Sequence, residues 1–240
     1  MQRLFRTRPR LVFAATAVAG TSCTAAAALY LRIRDCRFEP FGPETDRVFF
    51  AHSLFKQTNP FNKPMSADSC VREVPFERLD QELLEDARAG GTKLIERFSQ
   101  GLWGGSGYAI QRRIMEFTKN DENKEDVWSK EDLLACKYSP GTYLTNHFLV
   151  LSKTPTSIML RGCFDPHHST PRPVNVDNLI DLQAYIDQEK RAAVFKLRAA
   201  TFDGTEEASE KEDPFGGVGG WLHRQYSSLL VESGAQNCMM

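Results

Sequence analysis

The six cysteines form no C-x-x-C pair, and the chain has no N-x-S/T sequon, no G-x-G-x-x-G, no G-x-x-x-x-G-K and no G-x-S-x-G. The missing cysteine spacing removes zinc-ribbon and thioredoxin-like readings. The missing sequon argues mildly against a glycosylated lumenal domain, and the missing serine elbow leaves a serine hydrolase without its nucleophile geometry. Basic excess is also absent: 30 Lys and Arg stand against 31 Asp and Glu, for a net charge of −1. A chain with no basic surplus lacks the electrostatic footprint of a nucleic-acid binder. No internal repeat is visible. Hydrophobic residues make up 41% and charged residues 25%, a globular rather than a disordered composition.

The densest glycine stretch, Gly-Leu-Trp-Gly-Gly-Ser-Gly at 101–107, runs into a helical pattern. A phosphate loop needs a strand before it and a helix with a lysine after it. Here a helix precedes, and the nearest cations are Arg112 and Arg113 inside the next helix, so no nucleotide is expected. The stretch reads as a hinge in which Trp103 packs down and which can serve as a lid.

Residues 1–34 form the first region. Leu11–Leu31 is 21 residues without a charge, preceded by Arg3, Arg6, Arg8 and Arg10 and followed by Arg32 and Arg34. At 1.5 Å per residue such a helix reaches about 31 Å, the thickness of a bilayer core. A single-pass membrane anchor is the leading expectation. An Arg-rich mitochondrial presequence and a secretory signal peptide cut near Ala26–Ala28 stay open beside it. Arginines flank the run on both sides, so topology is not decided.

Residues 35–69 hold Pro40, Pro43, Pro60 and Pro64 with phenylalanines between them, and read as a linker. The folded domain is expected over 70–240. Residues 70–77 suit a strand, and two helical runs follow on either side of Gly90–Gly91. Residues 119–132 read as a charged, exposed connection anchored by Trp128. Two hairpins come next, 142–151 with 157–164 and 179–187 with 192–202, with a further short strand at 133–139. An amphipathic C-terminal helix closes the chain, its stripe made of Val218, Trp221, Leu222, Tyr226, Leu229 and Leu230. Hairpin-built sheets are antiparallel, so the class is α+β.

The order β–α–α–β–β–β–β–α, ending in the Gly-Trp-Leu-His-Arg-Gln-Tyr helix, resembles the helix-grip superfamily of START domains, Bet v 1 allergens and polyketide cyclases, over about residues 70–236. The whole chain also resembles small membrane-anchored fungal proteins, some of which serve secondary-metabolite pathways. The resemblance implies an apolar cavity between sheet and C-terminal helix that takes a polyketide, terpenoid or lipid. It implies either a cofactor-free cyclase or isomerase, or a non-catalytic carrier at a membrane. Trp103, Tyr108, Trp221, Leu222 and Tyr226 are the candidate ligand contacts. His147 within its strand is a candidate general acid or base, or else a hydrogen-bonded sheet histidine. Arg161 is a candidate for binding a carboxylate or enolate, or an outer-face residue. Tyr143 can donate to a ligand oxygen. Asp165, His167 and His168 invite a metal reading, but adjacent loop histidines seldom chelate one ion, and no metal is assigned.

Overall fold

The computed structural model describes residues 27–61, 64–170, 172–206 and 216–240. It divides into two compact units, residues 1–34 and 35–240. In the first unit, residues 27–33 are helical (α1). The expected membrane segment lies for most of its length outside the described residues. Among the described residues, no helix is long and apolar enough to cross a membrane.

The second unit is α+β, built on a seven-stranded antiparallel sheet. Its strands are β1 (Cys36–Glu39), β2 (Ser66–Pro75), β3 (Tyr143–Leu144), β4 (Phe148–Lys153), β5 (Ser157–Cys163), β6 (Asp177–Asp187) and β7 (Ala192–Phe202), in the spatial order β1-β2-β7-β6-β5-β4-β3. Both expected hairpins form, β4 with β5 and β6 with β7. Between β2 and β3 come α4 (Gln81–Arg88), α5 (Lys93–Gly104), α6 (Ala109–Met115) and α7 (Lys130–Ala135). Residues 133–135, expected as strand, belong to α7, where the Ser129 hydroxyl caps the helix by accepting from Asp132 N–H. The C-terminal helix α9 spans Val218–Gln236.

The sheet has two buried faces, and the period of two along each strand sorts residues between them. Ile180, Leu182 and Ala184 of β6 join Phe195, Leu197, Ile158, Leu160 and Val150 on the face covered by α5 and α9. Leu179, Met159, Ala200 and Phe202 point the other way. That second face is closed by residues 41–58. Asp46 caps α2 (Arg47–Phe50) and His52 caps α3 (Ser53–Thr58), which bring Phe49, Phe50 and Phe55 onto the sheet. The Phe55 and Phe202 rings meet edge to face at 5.2 Å. Each buried phenylalanine contributes roughly 1.5–3 kcal/mol. The segment read as a linker is therefore part of the fold: it supplies edge strand β1 and the cover of one sheet face.

The glycine stretch turns the chain only in its second half, at 105–108 between α5 and α6, and Trp103 packs down as expected. Helix α5 runs through Gly104, and Gly101 lies against α9, where a Cβ would stand 2.3 Å from Asn237 Cβ and 2.9 Å from the Ser233 carbonyl oxygen. Small residues on both helices allow the close crossing, with Gly234 of α9 against the Phe98 ring. The stripe expected on α9 is displaced for the same reason. The buried residues are in its second half, including Ser227, Ser228, Leu230, Val231 and Ser233, while Val218, Trp221 and Leu222 face solvent.

Candidate functional site at the turn between β3 and β4

The strand expected over 142–151 is broken. Thr145 and Asn146 take left-handed backbone with φ of 52° and 51°. For a β-branched threonine this costs about 1–3 kcal/mol and needs support from the surroundings. Part of that support is the Thr145 hydroxyl, 2.6 Å from the Tyr108 hydroxyl in the core. The charged segment before β3 supplies the rest. Val127 N–H donates to the Tyr143 carbonyl at 2.9 Å, and Trp128 Nε1 donates to the Asn123 carbonyl at 2.8 Å. Trp128 is buried, as an anchor should be. This docking delivers Asp126 to the turn, where Oδ2 accepts the Asn146 backbone N–H at 2.8 Å.

A third left-handed residue, Asp165 with φ of 51°, opens the short helix α8 (Pro166–Ser169) after β5. It places His167 Nε2 2.9 Å from Asp126 Oδ1 and stacks the imidazole on the Tyr143 ring at 3.8 Å and 14°. The Asp126 side chain is 3% exposed and that of His167 25%. A cleft of about 270 Å³ opens beside them, lined by Thr118, Asn120, Asn146, Asp165, His167 and His168. His168 is exposed, and its hydrogen bond to the Asp165 carboxylate raises its pKa.

Chemically, Asp126 accepts one backbone N–H through Oδ2 and has Oδ1 within hydrogen-bond distance of His167 Nε2; with Nε2 as the donor, the imidazole presents Nδ1 as a base. Left-handed residues clustered at a polar cleft are a recurrent mark of sites where geometry is held against local preference. Among the described residues, no group of three or more His, Cys, Asp or Glu side chains is placed to hold a metal ion.

The sequence candidates fall in several places. Tyr143 is in the site, stacked on His167. His147 is not within a strand: it ends the turn, its N–H donating to the Leu144 carbonyl at 3.1 Å and its ring packing on Phe148 and Phe164. Burial lowers its pKa, and its Nδ1 is buried without a hydrogen-bond partner. Arg161 is fully buried on the sheet face opposite α9. Its Nε and Nη2 donate to the Asp177 carboxylate, Nη2 also to the Arg172 carbonyl at 2.6 Å, and Nη1 to Ser169 and Thr170. With every nitrogen engaged, it binds β5 to β6 and to the loop after α8 instead of facing a ligand.

Trp103 and Tyr108 are core residues whose rings meet at 5.0 Å. Trp221 and Leu222 are exposed. Tyr226 donates to Gln111 Oε1 at 2.6 Å, and burial raises its pKa, as it does that of Tyr108. Beneath the second half of α9, Phe98 and Phe195 pack with ring centroids 5.1 Å apart, and Trp103 packs on Phe148 at 4.5 Å. These side chains occupy the layer where an apolar hollow was expected. Asp126 carried no sequence signal beyond being one acid in a charged run. No protein-family model, no curated protein and no solved structure matches the chain.

Proposed function

We propose that the chain binds a small molecule with an apolar body and a polar reactive end in the cleft at the β3–β4 turn, and shifts a proton on it as an isomerase or cyclase. His167 Nδ1 takes the proton from a carbon next to a carbonyl, Asp126 steadies the imidazolium that forms, and the proton returns to a different atom of the same substrate. The electrons stay within the substrate, so the step needs no oxidant. The observation that carries this reading is the buried Asp126 carboxylate holding His167 Nε2 at 2.9 Å beside an open cleft. Phe164, next in sequence to the cleft residue Asp165, is exposed with its ring against His147, and is the apolar side chain this reading assigns to the ligand's body.

The resemblance of the sequence to helix-grip proteins is the support for a polyketide, a terpenoid or a lipid-like ligand, seated here at the β3–β4 turn and not under α9. The uncharged run Leu11–Leu31 supports attachment to a membrane. The test is native mass spectrometry of the full chain, followed by incubation of the captured compound with the protein in D₂O. The expected result is an adduct in the wild type and in H167A, with deuterium incorporated only by the wild type. An adduct that persists when the cleft is filled by Asn146→Trp, or equal incorporation by wild type and H167A, contradicts the proposal. Binding without incorporation by either protein identifies a carrier.

A further inference from the structure

We propose that α6 and the first turns of α9 together form a surface that rests in the headgroup region of an anionic bilayer. Helix α6 buries none of its residues. Ile110, Ile114 and Phe117, spaced at i, i+4 and i+7, lie on one side of it and of the 3₁₀ turn that follows, and are 76%, 58% and 92% exposed. On α9, Val218, Trp221 and Leu222, at i, i+3 and i+4, are exposed. The two helices meet beside the stripes. Tyr226, one turn beyond Leu222 on the same face, is hydrogen-bonded to Gln111 of α6, and Gly107 abuts the backbone of Leu229 and Leu230. Six exposed apolar side chains gathered on two neighbouring helices mark a candidate interaction surface.

The bordering charges and the chain's connectivity select the partner. Arg113, Lys119 and Arg224 are exposed near the stripes, Lys119 over the Trp128 ring and Arg224 over the Phe38 ring, while Glu116 is paired with Arg112 at 2.9 Å and the exposed acids Asp121 and Glu122 follow Phe117 in the loop. Arginine and lysine with a tryptophan at the rim of an apolar patch suit the boundary between acyl chains and anionic headgroups. The uncharged run ends at Leu31 and β1 begins at Cys36. Five residue steps reach at most about 18 Å. A chain anchored through that run holds the start of β1 within that reach of the run's end. The inference rests on the reading of Leu11–Leu31 as the membrane segment.

The test uses the full chain in vesicles of phosphatidylserine and phosphatidylcholine, the latter brominated near the glycerol end of its acyl chains. Trp103 and Trp128 are buried, which leaves Trp221 as the tryptophan that lipid bromines reach. The expected result is that the chain floats with the vesicles and its emission is quenched. Trp221→Phe abolishes the quenching, and the Ile114→Glu/Phe117→Glu double variant weakens it while still floating and keeping its circular dichroism. A chain that floats but is unquenched overturns the surface and leaves the anchor standing. A chain that does not float overturns both. Emission that ignores the bromines but changes with the protein-to-lipid ratio assigns the surface to a second copy of this chain and overturns the bilayer assignment.

Discussion

The Ser233 hydroxyl of α9 donates to the Gly101 carbonyl of α5 at 2.9 Å, at a crossing too close for a side chain on Gly101. Gly101→Ala inserts a methyl group 2.3 Å from Asn237 Cβ and 2.9 Å from a backbone oxygen. Overpacking of this kind costs about 1–3 kcal/mol, and the gain in helix propensity returns up to about 1 kcal/mol. Urea unfolding is expected to show G101A destabilised by about 2 kcal/mol. Gly42→Ala, with nothing within 4 Å of the new carbon, stays within about 0.5 kcal/mol of wild type.

Arg161 and Asp177 form an ion pair in which both side chains are fully buried. Removing one partner leaves a buried charge alone, a loss of about 3–5 kcal/mol. Arg161→Met and Asp177→Asn are each expected to lower stability, and R161M to open the loop after α8 to limited proteolysis, since Arg161 also holds the Ser169 and Arg172 carbonyls. The double variant Arg161→Met/Asp177→Leu recovers most of the loss. A loss in R161M that the double variant does not recover contradicts the pairing.

Burial lowers the pKa of His147 below its ordinary 6.5. Below pH 6.5 the unfolded chain takes up a proton that the folded chain resists. Its contribution to stability is therefore complete above 6.5 and is lost as pH falls through 6.5 toward the folded value. In denaturant titrations from pH 8 to 5, wild type is expected to lose more stability than His147→Gln. Parallel profiles contradict a buried neutral imidazole.

Glu96 behaves with the acids. Its burial works to raise its pKa, but hydrogen bonds from Lys153, Thr92 and Lys137 lower it below the usual 4.5. The stability it contributes is present above pH 4.5 and is lost as pH falls through the folded value. Lys153→Met is expected to flatten that acid limb and to release the Lys137 carbonyl that the same ammonium group holds at 2.7 Å. An acid limb unchanged from wild type contradicts this assignment.

Much of the fold was legible because strand periodicity is a local signal. The β4–β5 and β6–β7 hairpins, the antiparallel class and the anchoring role of Trp128 follow from alternation, turn residues and a lone aromatic in a charged run. The second face of the sheet was hidden because the prolines at 40, 43, 60 and 64 masked a phenylalanine cluster whose partners, such as Phe202, lie more than a hundred residues away. The C-terminal helix misled because its most hydrophobic side chains, Trp221 and Leu222, are exposed, whereas serines and glycine make its buried contact with α5. The pairing signal was present as small residues in both helices, Gly101 and Gly105 against Ser233 and Gly234. At the site, Tyr143 and the adjacent histidines were visible as chemistry. Asp126 was not, since only the docking of 119–128 onto β3 separates it from its acidic neighbours.

The central claim is that Asp126 fixes His167 in one tautomer with Nδ1 free to accept a proton. Imidazole ¹⁵N shifts of His167 in the full chain at neutral pH test it most directly. The expected result is a protonated Nε2 and a bare Nδ1 in the wild type, with Asp126→Asn mixing the two tautomers. A His167 protonated at Nδ1, or one whose tautomer ignores Asp126→Asn, contradicts the account.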